Sequence, residues 1–354
     1  MTDTSQVSNH LILLGTGQAH IRLLSNWGKR PLPGVQITLI APCAQPLHAN
    51  MVPGLVAGHY AQDDCTFPLE ALLKNTGVRW LTCQASGLDA NARTLTLDDG
   101  STLGFSWLSV NTGPVQSRQL MEQTMPGAQE HGLFTSPPET FAALWPRVTA
   151  LAQTRALRIA IIGGGAQGAE LAMAIKFRLT QSSVTLITGE PGMDSNPLQQ
   201  RVLSALRQRH ITVLTEQVTG IEPDQILLAS GARLACDVPI LAATDHTPSW
   251  LKNSGLALDE QGSIAVDAHL RATRHPHVFV IGALSATELA QDLAAVVAGL
   301  TPRPRKLPTN TLNLLACGNA FALASWGRHS AQGRWVWWLK DWMDRSFMQR
   351  IRKA

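Results

Sequence analysis

Ile161-Ile162-Gly163-Gly164-Gly165-Ala166-Gln167-Gly168-Ala169-Glu170 decides the fold of this chain. It closes the apolar run from Leu157 to Ile162 and opens an apolar-periodic stretch from Ala166 to Leu179. Glycines in the order G-x-G-x-x-G between a strand and a helix let the backbone turn sharply, approach a pyrophosphate and pack the helix close to the strand. The free N–H groups of the helix then face the negative charge. A related stretch stands near the N-terminus, Leu13-Leu14-Gly15-Thr16-Gly17-Gln18-Ala19-His20, with His20 in the place of the third glycine. By itself this first stretch also reads as a plain glycine turn; with both taken as dinucleotide sites, an α/β fold with two Rossmann-like domains is expected.

Around these turns the strand Val35 to Ile40 completes a β-α-β unit, but it ends in Ala41-Pro42 rather than in an acidic ribose ligand. The stretch Asp89 to Leu108 alternates as antiparallel strands do around Asp98-Asp99-Gly100. It leads into Leu108-Ser109-Val110-Asn111-Thr112-Gly113-Pro114, a strand closing on a glycine turn. Met125-Pro126-Gly127-Ala128 through Pro137-Pro138 is rich in turn formers and reads as a connection between domains, before a helix from Pro138 to Gln153.

The second nucleotide domain is expected to begin near Arg155. Its strand Ser183 to Ile187 ends at Thr188-Gly189-Glu190, which makes Glu190 a candidate ribose ligand, a solvated loop carboxylate being the plain alternative. Val238 to Ala243, Gly262 to Asp267 and His277 to Gly282 read as a return to the first domain. The expected organisation is therefore residues 1–135 and 245–315 as the first domain, 155–244 as the second inserted in it, and 316–354 as a C-terminal amphipathic helical segment.

A chain of 354 residues, 45% hydrophobic and 15% charged, suits a globular protein with two or three domains. The first apolar run, His10 to Leu14, is too short for a signal peptide or a membrane span, so the cytoplasmic side is expected. The cysteines, Cys43, Cys65, Cys83, Cys236 and Cys317, are scattered without a Cys-x-x-Cys spacing. They support neither a disulfide framework nor a metal site, and Cys43 and Cys65 read as structural.

The tail is strongly asymmetric in charge. Residues 301–354 hold ten Lys and Arg against Asp341 and Asp344, a net of +8, so with +4 overall residues 1–300 carry −4. On a helix from Trp335, the residues Val336, Leu339, Met343, Phe347 and Ile351 form one stripe flanked by Trp335, Trp338 and Trp342. Lys340, Arg345, Arg350 and Arg352 fall away from its centre. Such a helix, over residues 335–353, suits a membrane surface with anionic lipids, as a peripheral protein on the cytoplasmic face of the inner membrane. The plain alternative is packing on the protein's own core or on a second subunit, as in a homodimer. Nucleic acid is not expected, because the aromatics sit with aliphatics rather than interleaved on an open basic platform.

The order of these motifs resembles the pyridine nucleotide-disulfide oxidoreductase superfamily. More narrowly, Asn50-Met51-Val52-Pro53-Gly54-Leu55-Val56-Ala57-Gly58-His59-Tyr60 and the tail Gly333-Arg334-Trp335 to Phe347-Met348 are similar to one branch. Its members are FAD-dependent NADH-dehydrogenase-like proteins, found alone or fused to selenide, water dikinase, and similar to type II NADH dehydrogenases. They carry Gly-x-Gly-His-Ala-His at the first turn, a version that His20 fits.

The resemblance implies FAD on the first domain, at Gly15, Gly17, Gln18, His20, Pro53, Thr112, Gly113 and Gly282. It implies NADH or NADPH on the second, at Gly163, Gly165, Gly168 and Glu190. Hydride would pass from the nicotinamide to the flavin and electrons on to a small-molecule acceptor such as a quinone. The resemblance also points Glu170 toward nicotinamide and flavin, where the plain reading is a carboxylate near a helix N-terminus. Of His48, His59, His131 and His246, His59 is the best-placed proton donor, the plain reading being a surface or capping histidine.

Three departures keep a second reading open. Ala283 follows Ile281-Gly282 where the superfamily has an aspartate on the flavin's ribityl chain, the segment Leu284 to Leu300 is short, and Ser136-Pro137 stands where relatives have Lys-Pro. The alternative is a non-catalytic nucleotide- or partner-binding paralogue that has lost FAD.

Overall fold

The computed structural model of the chain describes residues 9–28, 32–74, 76–112, 116–189, 197–242, 248–260, 262–281, 286–304 and 311–353. Gly113, Glu190, His246, Gly282 and Ala283 lie outside the described residues.

The first domain is built on β1 (His10–Leu14), β2 (Gln36–Ile40), β3 (Arg79–Leu81) and β4 (Trp107–Val110). All five residues of β1 are buried, and a strand that is apolar on both faces belongs inside a parallel sheet covered by helices. It pairs in parallel with β2 (Leu14 beside Ile40) and with β4 (Leu14 beside Val110). Helix α1 (Gln18–Trp27) follows the first glycine turn and turns Ile21, Leu23, Leu24 and Trp27 inward. Residues 85–104 form a small antiparallel sheet, with the hairpin that the alternation predicts closing at Gly100.

The second sheet has β5 (Leu133–Phe134), β6 (Arg158–Ile162), β7 (Ser183–Ile187), β8 (Thr212–Leu214) and β9 (Val238–Leu241), in the order β8-β7-β6-β9-β5 among the described residues. It is parallel throughout. The segment expected to be a plain connection thus adds an edge strand to the second sheet. A short helix at Ala128–His131 precedes it.

The helices that frame the site are α2 (Val52–Ala57), α3 (Pro138–Thr154) and α4 (Ala166–Arg178). Helix α3 puts Phe141, Trp145 and Val148 into the core of Ile159, Ile161 and Ile240, so it too belongs with the second sheet rather than with a linker ending near Arg155. Helix α2 enters the same core through Val56 and Ala57, against Ala169 and Met173 of α4. The chain then returns as expected, with β10 (Arg271–Ala272) and β11 (His275–Val280) completing the first sheet in the order β10-β11-β4-β1-β2-β3.

The C-terminal unit begins earlier than residue 316. Strands β12 (Leu312–Ala316), β13 (Ala322–Trp326) and β14 (His329–Gly333) form an antiparallel sheet, and α5 (Arg334–Arg352) leaves it at Gly333. The buried face of α5 is rotated from the expected stripe. Val336, Phe347, Met348 and Ile351 are inside, but so are Lys340 and Asp344, while Met343 is exposed. Trp335, Trp338 and Trp342 are 61%, 63% and 62% exposed. The rotation has a physical cause, since the Lys340 ammonium finds the Asn50 carbonyl on the first domain and Asp344 one turn on, and helical periodicity cannot foresee the first of these.

Candidate functional site

Both glycine turns sit at the carboxyl ends of their parallel sheets, where open α/β sheets place ligands. In the second turn Gly163 has φ +134° and its N–H donates to the Ile187 carbonyl at 3.0 Å. A Cβ on Gly168 would overlap the Gly163 carbonyl oxygen, so only glycine lets α4 approach the strand. Gly165, the residue before α4, has no described atom within 4 Å of where a Cβ would stand. That open space beside a helix N-terminus is what a diphosphate requires.

The first turn repeats this frame with one exchange. Gly15 has φ +92° and donates to Ile40 at 2.9 Å, while the N–H of Gly17 donates to the Asn111 carbonyl at 3.1 Å. His20 is fully buried at the end of its first helical turn. Its Nδ1–H donates to the Gly15 carbonyl at 2.8 Å and its Nε2 accepts from the Ser109 hydroxyl at 2.8 Å. Burial pushes its pKa down to about 4, the Gly15 hydrogen bond opposing this only in part. His20 is therefore a neutral packing residue at neutral pH, not a phosphate-binding cation. Gln18 is exposed at the start of α1, and Thr112 is exposed at the end of the β4 crossing.

Helix α2 joins the two cores, with Val52 and Leu55 packed on the first and Val56 and Ala57 in the second; Pro53 is in its first turn and the buried Met51 just before it. Glu170, on the first turns of α4, accepts a 2.6 Å hydrogen bond on Oε1 from the Ala316 N–H. Burial pushes its carboxyl up to about 7, although the Lys340 ammonium and the Ala316 hydrogen bond pull the other way. A carboxyl poised near neutrality suits proton exchange.

Lys340 was not foreseen. Its Nζ donates to the Asn50 carbonyl at 2.7 Å and to Asp344 Oδ2 at 2.9 Å, and Asp344 Oδ1 lies 3.4 Å from His48 Nε2. Burial alone would raise the Asp344 carboxyl, but the His48 and Lys340 contacts outweigh it and hold it below the usual range. Gln18 Nε2 lies 3.5 Å from the other nitrogen of His48.

The run 48–63 is in fact the seat of the C-terminal unit. Tyr60 donates to Asp341 at 2.7 Å under the Arg345 guanidinium, whose carbon lies 4.9 Å from the ring centre, and Arg352 donates to the Asp63 carbonyl. His59 belongs to this seam. Its Nε2–H donates to Gly318 at 2.8 Å, and its ring packs on Phe177 and Trp337 at 5.5 and 5.3 Å. The structure thus brings Glu170 to the Lys340 network and gives His59 a set of partners in the C-terminal unit.

Comparison with known proteins agrees with this architecture. The family model described as pyridine nucleotide-disulphide oxidoreductase matches residues 9–302. An NADH dehydrogenase-like protein of Mycobacterium tuberculosis is 22% identical over 83% of this chain and 77% of its own length. The demethylphylloquinone reductase of Synechocystis is 25% identical over 61% of this chain and 56% of its own. Among solved structures, the sulfide:quinone oxidoreductase of Aquifex aeolicus superposes with a TM-score of 0.77 at 16% identity, over 98% of this chain and 92% of its own. The NDH2 of Plasmodium falciparum, solved in complex with NADH, gives 0.69 at 14%, over 97% of both chains. The chain belongs to the pyridine nucleotide-disulphide oxidoreductase family, flavin oxidoreductases that work with FAD and a nicotinamide nucleotide.

Proposed function

We propose that this protein is an NAD(P)H:acceptor oxidoreductase that hands electrons to a quinone at a membrane surface. The observation that carries the reading is the pair of equivalent turns, Gly15 to His20 and Gly163 to Gly168, at the carboxyl ends of two parallel sheets. FAD, when bound, takes a hydride from NADH or NADPH and passes electrons on singly or in pairs.

The chain's own residues supply the rest. Gly163, Gly165 and Gly168 seat the nicotinamide nucleotide, and Gly15, Gly17 and the backbone after β4 seat the flavin nucleotide. Glu170 holds or releases a proton near neutral pH beside Lys340, as reduction of a quinone requires. Quinone reductases and ferredoxin reductases both stand among the relatives, and the outward face of α5 favours the quinone.

The outward face of α5 supports a membrane surface. Trp335, Trp338 and Trp342, with Trp326 of β13, are more than half exposed, and Arg334, Arg345, Arg350 and Arg352 are exposed around them. Tryptophan prefers the headgroup region, and exposed basic residues favour anionic lipids. No helix among the described residues is long and apolar enough to cross a membrane.

The test is spectroscopic. Purified protein should show flavin absorption that NADH bleaches without oxygen and that a soluble quinone then restores. A colourless protein that takes up no added FAD would overturn the reading in favour of a paralogue that has lost the flavin.

A further inference from the structure

We infer that the first domain carries a ligand site apart from its glycine turn, a cleft at the amino ends of its sheet that takes a mononucleotide. The phosphate is held by Arg93 and Arg271, and the base lies against the ring of Trp107.

The cleft has a volume of about 260 Å³ and is lined by Arg93, Ser106, Trp107, Arg271, Pro276 and His277. Trp107 opens β4, and Pro276 and His277 stand near the start of β11, which runs parallel to β4. The cleft therefore faces the amino ends of these strands. The glycine turn packs at their carboxyl ends, about 13 Å away along β4. No residue of either glycine turn lines the cleft. Its volume lies just below the usual range for small-molecule sites, about 300 to 1,000 Å³, which suits one base and one phosphate but not a dinucleotide.

The lining divides into a cationic and an apolar part, and none of its described residues is acidic. Arg93 closes the turn before the strand Thr94–Leu97 with φ +57°, in the left-handed region that favours glycine and asparagine. The Phe105 N–H donates to the Arg93 carbonyl at 3.0 Å and fixes the backbone there. The Arg93 guanidinium has no acidic partner among the described residues. Arg271 donates from Nε and Nη2 to Asp267 Oδ2 at 3.3 and 3.0 Å, which fixes the plane of its guanidinium and leaves Nη1 without a partner among the described residues. Asp267 offsets the Arg271 charge, so the net positive charge of the cleft is that of Arg93. His277 adds none: burial lowers its pKa from 6.5, the Arg93 charge lowers it further, and its Nε2–H donates to the Ala90 carbonyl at 3.1 Å. It is a neutral ring beside the half-buried Trp107 and the exposed Pro276. Guanidinium groups match phosphate oxygens in pairs, and a base stacks on an aromatic face.

The test titrates full-length protein, in saturating FAD and NAD+, with uridine monophosphate, uridine and inorganic phosphate by calorimetry. The dinucleotides keep the glycine turns filled, and uracil is used because an adenylate could enter either dinucleotide site. Uridine monophosphate should bind about ten-fold or more tightly than uridine or phosphate alone. Glycine suits the left-handed backbone at position 93, so Arg93→Gly should fold with an unchanged melting temperature. It should bind uridine monophosphate about ten-fold or more weakly and uridine as before. Arg93→Lys should recover part of the loss, since it keeps the charge without the paired donors. Wild type that binds no uridine monophosphate in the millimolar range would overturn the assignment. So would binding no tighter than that of phosphate, or equal binding by wild type and Arg93→Gly. A chain that takes up no FAD would overturn the functional reading and leave this result standing.

Discussion

His20 Nδ1 lies 2.8 Å from the carbonyl oxygen of Gly15, five residues earlier, while in the second domain Gly168 stands five residues after Gly163 with no room for even a Cβ. The same turn is thus closed in two ways. In one the helix comes down onto the strand, and in the other an imidazole bridges helix, turn and the Ser109 hydroxyl of β4.

The bridge makes the first domain sensitive to acid. In the unfolded chain an imidazole takes up a proton near 6.5, and in the folded one not until about 4. The unfolded state therefore binds more protons in that window, so stability is present above 6.5 and is lost as pH falls toward 4. The loss amounts to about 3 kcal/mol. Urea midpoints at pH 7 and pH 5 should fall more for wild type than for His20→Gln, whose absolute stability at pH 7 should itself be lower. Parallel lines for the two proteins would contradict the burial argument.

Two glycines of the second turn should respond in opposite ways. Gly165 has open space before it, so Gly165→Glu should fold normally and lose NADH binding, because a carboxylate replaces the room for phosphate. Gly168→Ala places a methyl on the Gly163 carbonyl and should cost about 2 kcal/mol or more of stability, through backbone displacement. Thermal melts and NADH fluorescence titration separate the two effects. Retained NADH binding in Gly165→Glu would remove the site assignment.

These turns were legible because glycine constraints are local: strand, turn and helix lie within twenty residues, and the strand Ser183–Ile187 matches its expected bounds. The edge strand Leu133–Phe134 was not. Two residues carry no periodicity, and only their pairing with Ile240 and Leu241, a hundred residues on, makes them a strand. Helical periodicity sets Lys340 away from the centre of the apolar stripe, and it misses the burial of this residue for the same reason. Its partner Asn50 is 290 residues away, so a pattern read along α5 alone sees a cation among tryptophans and not a buried latch. Once Lys340 and Asp344 point inward, the tryptophans must point out.

That outward face predicts a separation of binding from stability. Trp338→Ser and Trp342→Ser remove side chains that are about two-thirds exposed, so stability should change by no more than about 0.5 kcal/mol. Sedimentation with phosphatidylcholine vesicles containing phosphatidylglycerol should show several-fold weaker binding for the double variant, and less binding of wild type at high salt. Unchanged sedimentation would leave the face without a lipid partner.

The inward face predicts a pH dependence opposite in sign to that of His20. The Glu170 carboxyl is raised from 4.5 to about 7 in the folded chain, so the folded state holds the extra proton between those values and this residue's contribution weakens as pH rises through them. Glu170→Gln should flatten that limb in urea midpoints measured from pH 5 to pH 8. Lys340→Met should push the Glu170 carboxyl higher still, because the ammonium now favours its charged form. It should also cost about 3–5 kcal/mol, since Asp344 and the Asn50 carbonyl lose a buried partner. Pairing it with Asp344→Leu should recover part of that loss, because no carboxylate is then left unpaired. If the double variant is no more stable than Lys340→Met alone, the latch is not an ion pair in the energetic sense. If Lys340→Met leaves the pH limb of Glu170 in place, the two groups are not coupled across the site.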